Sequence, residues 1–265
     1  MILIVLLLGV IEGITEFLPI SSTGHLIVAG HLLGFTGPQA ETFEIVIQLG
    51  AILAVVWEFR RHLFSVAAGA LGLQPLAGSR ELAVNLAIAF LPAAVAGALL
   101  HGAIKELLFG PVTVAWALVG GGVAMLAIEA SAPRIRTTSL MEVPWRSALL
   151  IGLAQTVSLF PGVSRAAATI MGGMLAGLDR TTATQFSFYL AIPTMMAATV
   201  YDLSKSWSLL SRGDLAFLAL GFAAAFVSAL LAVRALVRYV SLYDFRPFAW
   251  YRIALGLATL WIFRD

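Results

Sequence analysis

Six long apolar runs, near residues 43 to 57, 82 to 100, 112 to 128, 184 to 200, 215 to 233 and 248 to 263, leave this chain few ways to fold. Each is about long enough to cross a bilayer, which takes ~20 residues with a tolerance of several. Backbone in hydrocarbon must satisfy its own hydrogen bonds, so such runs are helices. Composition closes off the soluble alternative: 60% of residues are hydrophobic and 11% charged, where soluble proteins carry roughly a quarter charged. The expected fold class is all-α, a polytopic membrane protein. The absence of cysteine excludes disulfides, thiolate chemistry and cysteine metal sites. The basic residues sit in loops, where they read as topology signals. No basic, aromatic-interleaved patch is present, which excludes a nucleic acid as partner.

Two stretches interrupt this apolar background. The first, Glu12-Gly-Ile-Thr-Glu16-Phe-Leu-Pro-Ile-Ser21-Ser22-Thr-Gly-His25, reads as helix, break, helix. The break is Leu-Pro19-Ile, and Ser21-Ser22-Thr23 form an N-cap cluster for a second short helix ending near Gly34. Met1 to Ile11 are apolar but too short to span. They lack the basic leading segment and small-x-small cleavage pattern of a signal peptide, so they are expected to stay as the entering limb of a hairpin. The second stretch is Gln155-Thr-Val-Ser-Leu-Phe-Pro161-Gly-Val-Ser164-Arg165-Ala-Ala-Ala-Thr169. An ungapped offset of 143 residues places Gly9 on Gly152, Phe17 on Phe160, Ser21 on Ser164, Gly30 on Gly173, Gly34 on Gly177 and Phe43 on Phe186, while Glu12 falls on Gln155.

The repeat divides a single membrane domain, residues 1–265, into a first half, 1–130, a linker, 131–147, and a second half, 148–265. Arg60, Arg61 and Arg80, the linker's Arg134, Arg136 and Arg146, and Arg234, Arg238 and Arg246 all fall on one side of a six-span model. That side is assigned to the cytoplasm, which makes the linker cytoplasmic; the opposite connections carry only Lys105, Lys205 and Arg212. The first span of one half then ends inside and that of the other outside, so the halves are inverted. The expected topology is six transmembrane helices plus two re-entrant helical hairpins, their breaks meeting near the midplane.

Glu12 and Glu16, four apart, share one helix face. Two adjacent anions in such surroundings need a divalent cation, a basic partner or a proton, unless the helix lies at the interface and both face water. Ser21 and Ser164 read as N-caps, and the half-helices they open are also anion sites. Arg165 offers a guanidinium fork suited to phosphate oxygens, or a buried salt bridge to Glu12 or Glu16. His25, beside Ser21 and Ser22, is a candidate nucleophile or proton donor against the alternative of a satisfied structural histidine. Thr169 could add a hydroxyl. Glu41, Glu44 and Gln48 form a polar stripe that either lines an entrance or sits at the interface, while His31, His62 and His101 lack a comparable neighbourhood.

Together with Thr42-Phe-Glu-Ile-Val-Ile-Gln-Leu-Gly50 and Gln185-Phe-Ser-Phe-Tyr-Leu-Ala-Ile-Pro193, these stretches resemble the undecaprenyl-diphosphate phosphatases of the bacitracin-resistance type over nearly the whole chain. The resemblance implies hydrolysis of undecaprenyl diphosphate to the monophosphate carrier of peptidoglycan synthesis. It also implies a divalent metal ion (Mg2+ or Ca2+), the bacterial inner membrane, and a site facing the periplasm. By position, Glu12 and Glu16 would hold the metal and Arg165 the diphosphate. Ser22 or His25 would be nucleophile or acid, and Ser21, Ser164 and Thr169 hydroxyl contacts to the substrate. The chain departs from the family at Ala166 and Ala167, where a serine and a glycine are usual, and this removes one phosphate hydroxyl. Membrane lipid is a partner, and a homodimer is compatible with the chain. The competing function is a transporter or flippase of a phosphate-headed prenyl lipid, since inverted repeats with broken helices are also a transporter architecture.

Overall fold

The computed structural model describes residues 1–108, 110–131, 133–206 and 215–264; Arg212 lies outside them, as do the side chains of His101 and Lys105. The described residues are all-helical. In chain order the helices are α1 (Ile2–Thr15), α2 (Ser22–Leu32), α3 (Pro38–Ala70), α4 (Ser79–Leu108), α5 (Pro111–Ser131), a 3-10 turn (Leu140–Glu142), α6 (Trp145–Val157), α7 (Arg165–Leu175), α8 (Arg180–Ser206), α9 (Leu215–Val240) and α10 (Arg246–Ile262). Among the described residues β pairing is limited to one isolated bridge, Thr137 with Leu178, which ties the segment after α5 to the turn after α7.

Among the described residues four helices are long and apolar enough to cross a membrane: Gln39–Ala70, Ser79–Leu100, Pro111–Ser131 and Leu215–Val240. The other two expected spans form helices of a different character. On α8, Thr182, Thr184, Ser187 and Thr199 are buried, so these polar side chains face protein. On α10, only 17 residues long, a fully buried arginine interrupts the run. Two boundaries also differ from the sequence reading. Helix α3 continues past Glu58-Phe-Arg60-Arg61-His62, because Glu58 accepts from Arg234 at 2.7 Å and Arg60 donates to the Trp57 carbonyl at 2.6 Å. Helix α4 continues through His101 to Leu108.

Both breaks have the same backbone. Ser21 and Ser164 carry φ 71 and φ 71, and among the described residues they are the non-glycine residues with positive φ. L side chains rarely occupy this region, so two matching instances mark segments held by their surroundings. Each serine caps the helix that follows: Ser21 Oγ accepts from Gly24 N at 3.4 Å and Ser164 Oγ from Ala167 N at 3.2 Å. The two half-helices also end alike. Gly34 and Gly177 take positive φ, with Phe35 N and Leu178 N reaching back to the carbonyls of Gly30 and Gly173. This is the Schellman termination that glycine permits.

The entering limb of each hairpin packs on a helix from the other half of the chain: α1 on α9, and α6 on α4. Glycine allows both approaches. A Cβ on Gly9 would stand 2.5 Å from the Gly221 carbonyl oxygen, and one on Gly152 would stand 2.5 Å from that of Ala89. Helix α5 packs on α10, and α3 lies against both α8 and α9. The core between them includes Phe17, Ile52, Val55, Ile151, Phe186, Phe188 and Tyr189. At Gly13 a Cβ would meet Ser228 Oγ at 2.1 Å and the Ala225 carbonyl oxygen at 2.3 Å. Gly13→Val is therefore expected to lower the thermal midpoint of the purified protein through overpacking of roughly 1–3 kcal/mol. Gly120→Ala, in open space, should leave the midpoint near wild type. Equal midpoints would mean that α1 does not depend on this contact.

Candidate active site

The two breaks meet at a cavity of about 450 Å³, closed on its other sides by α4 and α8. The first break contributes Glu16, Ser21, Ser22 and Thr23, and the second contributes Ser158, Pro161, Gly162, Ser164 and Arg165. Proline and serine end one helix and start the next on each side. The two short helices therefore present their N-termini, with their unpaired amides, to the same space.

Glu16 is the centre of the polar floor. Its Oε2 accepts from Ser22 Oγ at 2.5 Å, and its Oε1 faces Arg165 Nη2 at 3.4 Å. Glu16 sits at the foot of α1 and Ser22 in the first turn of α2, so the break folds a carboxylate onto a hydroxyl six residues away. Arg165 reaches across from the other half. Its guanidinium lies 5.5 Å from the centre of the Phe17 ring, which packs edge-on against Phe188. Its Nη1 donates to the Ser187 carbonyl at 3.3 Å. One face of the guanidinium is thus held by an aromatic ring and one nitrogen by backbone, which fixes the direction of the fork.

Glu12 lies one turn above Glu16, buried outside the cavity lining, within electrostatic reach of Glu16, Glu44 and Arg165. Gln48, from the same α3 stripe as Glu44, lines the cavity. Glu12 and Glu16 thus both act on one guanidinium, with Glu44 in turn within electrostatic reach of Glu12. Among the described residues no group of three or more histidine, cysteine or carboxylate side chains is close enough to hold a metal by itself. The donors that are present, two carboxylates with neighbouring hydroxyls and a glutamine oxygen, suit a hard divalent cation that takes its remaining ligands from substrate phosphate and water. The buried pair Glu12 and Glu16, opposed by the single guanidinium of Arg165, fits such an ion.

Other predicted residues sit differently. His25 does not line the cavity. It is three residues beyond Ser22 on the outer side of α2, where Nδ1 bonds the Ser21 carbonyl at 2.7 Å, Nε2 meets the Tyr251 hydroxyl at 2.8 Å, and the ring stacks on Tyr251. Thr169 lies behind Arg165, where its hydroxyl donates to the Arg165 carbonyl at 2.9 Å and pairs with Ser187 Oγ at 2.6 Å. It braces the helix that carries the arginine and does not open onto the cavity.

Sequence reasoning passed over three residues. Ser187 contacts both Arg165 and Thr169; a neutral hydroxyl in a long helix gives no signal of its own. Gln155 lines the cavity with Thr194, and only its alignment with Glu12 distinguishes it. Arg252 had a clear signal, a charge inside the last apolar run, which by default marks a functional position. It is fully buried and donates to the carbonyls of Pro19 in the first break (3.4 Å), Gly162 in the second (3.2 Å) and Ala117 of α5 (3.3 Å). One guanidinium therefore ties the two breaks together. Gly121 makes room for it, since a Cβ there would stand 2.1 Å from Arg252 Nη2.

The chain is 54% identical over 260 residues to the undecaprenyl-diphosphatase of Methylobacillus flagellatus, covering 96% of this chain and 95% of the relative. It is 52% identical over 257 residues to the undecaprenyl-diphosphatase of Aromatoleum aromaticum, covering 97% and 93%. It is 55% identical over 255 residues to undecaprenyl-diphosphatase 2 of Rhodospirillum rubrum, covering 96% and 92%. The family model of the bacitracin resistance protein BacA matches residues 5–258, and with these full-length relatives it shows that this multi-pass membrane protein belongs to the BacA family.

Proposed function

We propose that the chain hydrolyses undecaprenyl diphosphate to undecaprenyl phosphate and inorganic phosphate, recycling the lipid carrier and so supporting the bacitracin resistance for which its family is named. The observation that carries the reading is the Ser22, Glu16 and Arg165 cluster on the floor of a cavity where two helix N-termini converge. Undecaprenyl diphosphate is also what the relatives' names specify.

Substrate enters with its diphosphate on the polar floor and its tail toward the small apolar side chains of α4, among them Ala93, Ala94 and Gly97. Arg165, aimed by Phe17 and Ser187, and the free amides of α2 and α7 neutralise the phosphate oxygens. Ser22 Oγ attacks the terminal phosphorus while its proton passes to Glu16 Oε2, already its acceptor. The bond from that phosphorus to the bridging oxygen breaks, and undecaprenyl phosphate leaves. Once Glu16 has passed that proton to solvent, it deprotonates a water that attacks the phosphoserine phosphorus, and it returns the proton to Ser22 Oγ as the Oγ–phosphorus bond breaks, so that inorganic phosphate and the free hydroxyl are released. A divalent ion, Mg2+ or Ca2+, held by Glu16 and Glu12, would supply further charge neutralisation when bound. His25, facing Tyr251, is left outside this sequence of steps. Ser21, Ser164 and Thr169 act as caps and braces, and the first two also face the substrate.

The same proposal covers topology. Six transmembrane helices and two re-entrant hairpins, α1–α2 and α6–α7, form inverted halves, 1–130 and 148–265, joined by the 131–147 linker. The matched breaks, matched terminations and reciprocal packing of each hairpin on the other half support this. The cavity reaches Tyr201 and Asp202 at the far end of α8 from Arg180. The arginine-rich loops lie toward the Arg180 end, where Arg180 pairs with Glu129, so the cavity would face the periplasm across the inner membrane.

Purified protein in detergent given farnesyl diphosphate should release phosphate; a transporter would release none, since transport needs two compartments and hydrolysis does not. Ser22→Ala is expected to cut release by about 10²–10⁴-fold. Acid quenching of wild type with terminally labelled substrate should trap phosphate on Ser22. Near-normal release by a folded Ser22→Ala protein would reassign the nucleophile to water.

A further inference from the structure

Among the described residues only a few buried side-chain polar atoms lack a hydrogen-bond partner, and two of them, Gln155 Nε2 and Arg165 Nε, belong to residues that line the same cavity. Arg165 already has its role in the proposed reaction. Gln155 has none, although it is 1% exposed and sits on the last full turn of α6, just before the second break. An amide N–H left unpaired in such a place is costly, and an orphan of this kind calls for a ligand.

Three observations bear on what that ligand is. The Gln155 Oε1 accepts from Thr194 Oγ1 at 3.4 Å, a proton that this hydroxyl shares with the Leu190 carbonyl at 2.8 Å, and the amide nitrogen is the free end of the side chain. Arg165, the cation among the described residues that line the cavity, is the first residue of the helix that follows the break on the same half of the chain, so the free N–H joins a wall that already attracts anions. Gln155 also stands at the position that matches Glu12 in the repeat. A carboxylate in the first half is thus replaced by a neutral donor in the second, on the side where another anion would compete with phosphate for Arg165.

We propose that Gln155 is a substrate-binding residue whose amide N–H donates to a non-bridging oxygen of the bound diphosphate. This rests on the phosphatase reading above. The cavity then has two walls of opposite character. Glu16, backed by Glu12, forms the wall that receives a proton and a cation, and Gln155 with Arg165 forms the wall that receives phosphate oxygen.

The test is to titrate a methylene-bridged, non-hydrolysable analogue of farnesyl diphosphate into wild-type, Gln155→Leu and Gln155→Glu proteins by calorimetry. Thermal midpoints are measured without ligand, and farnesyl diphosphate hydrolysis serves as a parallel assay. Gln155→Leu should bind the analogue roughly tenfold more weakly. Its ligand-free midpoint should be at or above wild type, because an unpaired buried donor has been removed. Gln155→Glu keeps the size of the side chain and should bind more weakly still. A glutamine that merely supports the fold would give the reverse pattern for Gln155→Leu, with a lowered midpoint and unchanged affinity, and that result overturns the inference. Wild-type affinity in Gln155→Glu would overturn it equally. Failure of wild type to bind or hydrolyse would instead sink the phosphatase reading, and this inference with it.

Discussion

Arg165→Ala protein is expected to release phosphate at roughly a thousandth of the wild-type rate or less, the scale seen when a phosphate-clamping arginine is lost. Arg165 is the cationic side chain among the described residues that line the cavity, and its fork is aimed by Phe17 and the Ser187 carbonyl. Arg165→Lys keeps the charge but loses the planar fork and its ring contact, so only part of the rate should return. Arg165→Ala also leaves Glu16 buried without its cation, a defect that can cost ~3–5 kcal/mol. The double variant Arg165→Ala/Glu16→Gln separates the two effects. Its thermal midpoint should recover relative to Arg165→Ala while phosphate release stays lost. A folded Arg165→Ala protein with near wild-type release would end the assignment of the site.

Arg252→Met should be the second severe variant, for a different reason. Methionine fills much of the space but leaves the carbonyls of Pro19, Gly162 and Ala117 without the donor they share. Each buried acceptor abandoned in this way costs on the order of 1–3 kcal/mol. A clear drop in thermal midpoint is therefore expected. Because the lost bonds hold the two breaks to each other, kcat should fall more than KM rises, since Ser22 and Arg165 come from opposite breaks. Arg252→Lys, able to reach fewer of the carbonyls, should be intermediate in both respects. A stable Arg252→Met protein with unaltered kcat would show that the breaks hold their register without the clasp.

What could be read from the sequence followed from local chemistry. Pro19 and Ser21, Pro161 and Ser164 announced the breaks and caps, because proline ends a helix and a serine oxygen accepts from the first free amides. The Arg165 to Glu16 pair was among the expected alternatives, since buried charges seek partners. Features that depend on which way a helix faces were not legible. His25 shares a helix with Ser22, but the rotation of α2 turns it to Tyr251. Apolarity alone made α8 look like an ordinary span, whereas Thr182, Thr184, Thr199 and Ser187 are buried against neighbouring helices that hydropathy cannot see. Arg252 was the avoidable omission. A charge inside an apolar run is visible in one dimension, although its three carbonyl partners, from positions far apart in the chain, are not.

The reciprocal packing of the hairpins carries a consequence for assembly. Helix α1 emerges from the ribosome well before α9, residues 215 to 240, yet α9 supplies the surface on which it rests. Gly9 and Gly13 must therefore wait, facing lipid or temporary neighbours, until most of the chain has been inserted. Contacts between such distant segments form late and slowly. The nascent protein should pass through a long-lived stage in which α6 has already settled on α4 while α1 is still unseated. The half of the site that carries Arg165 would then be shaped before the half that carries Glu16 and Ser22.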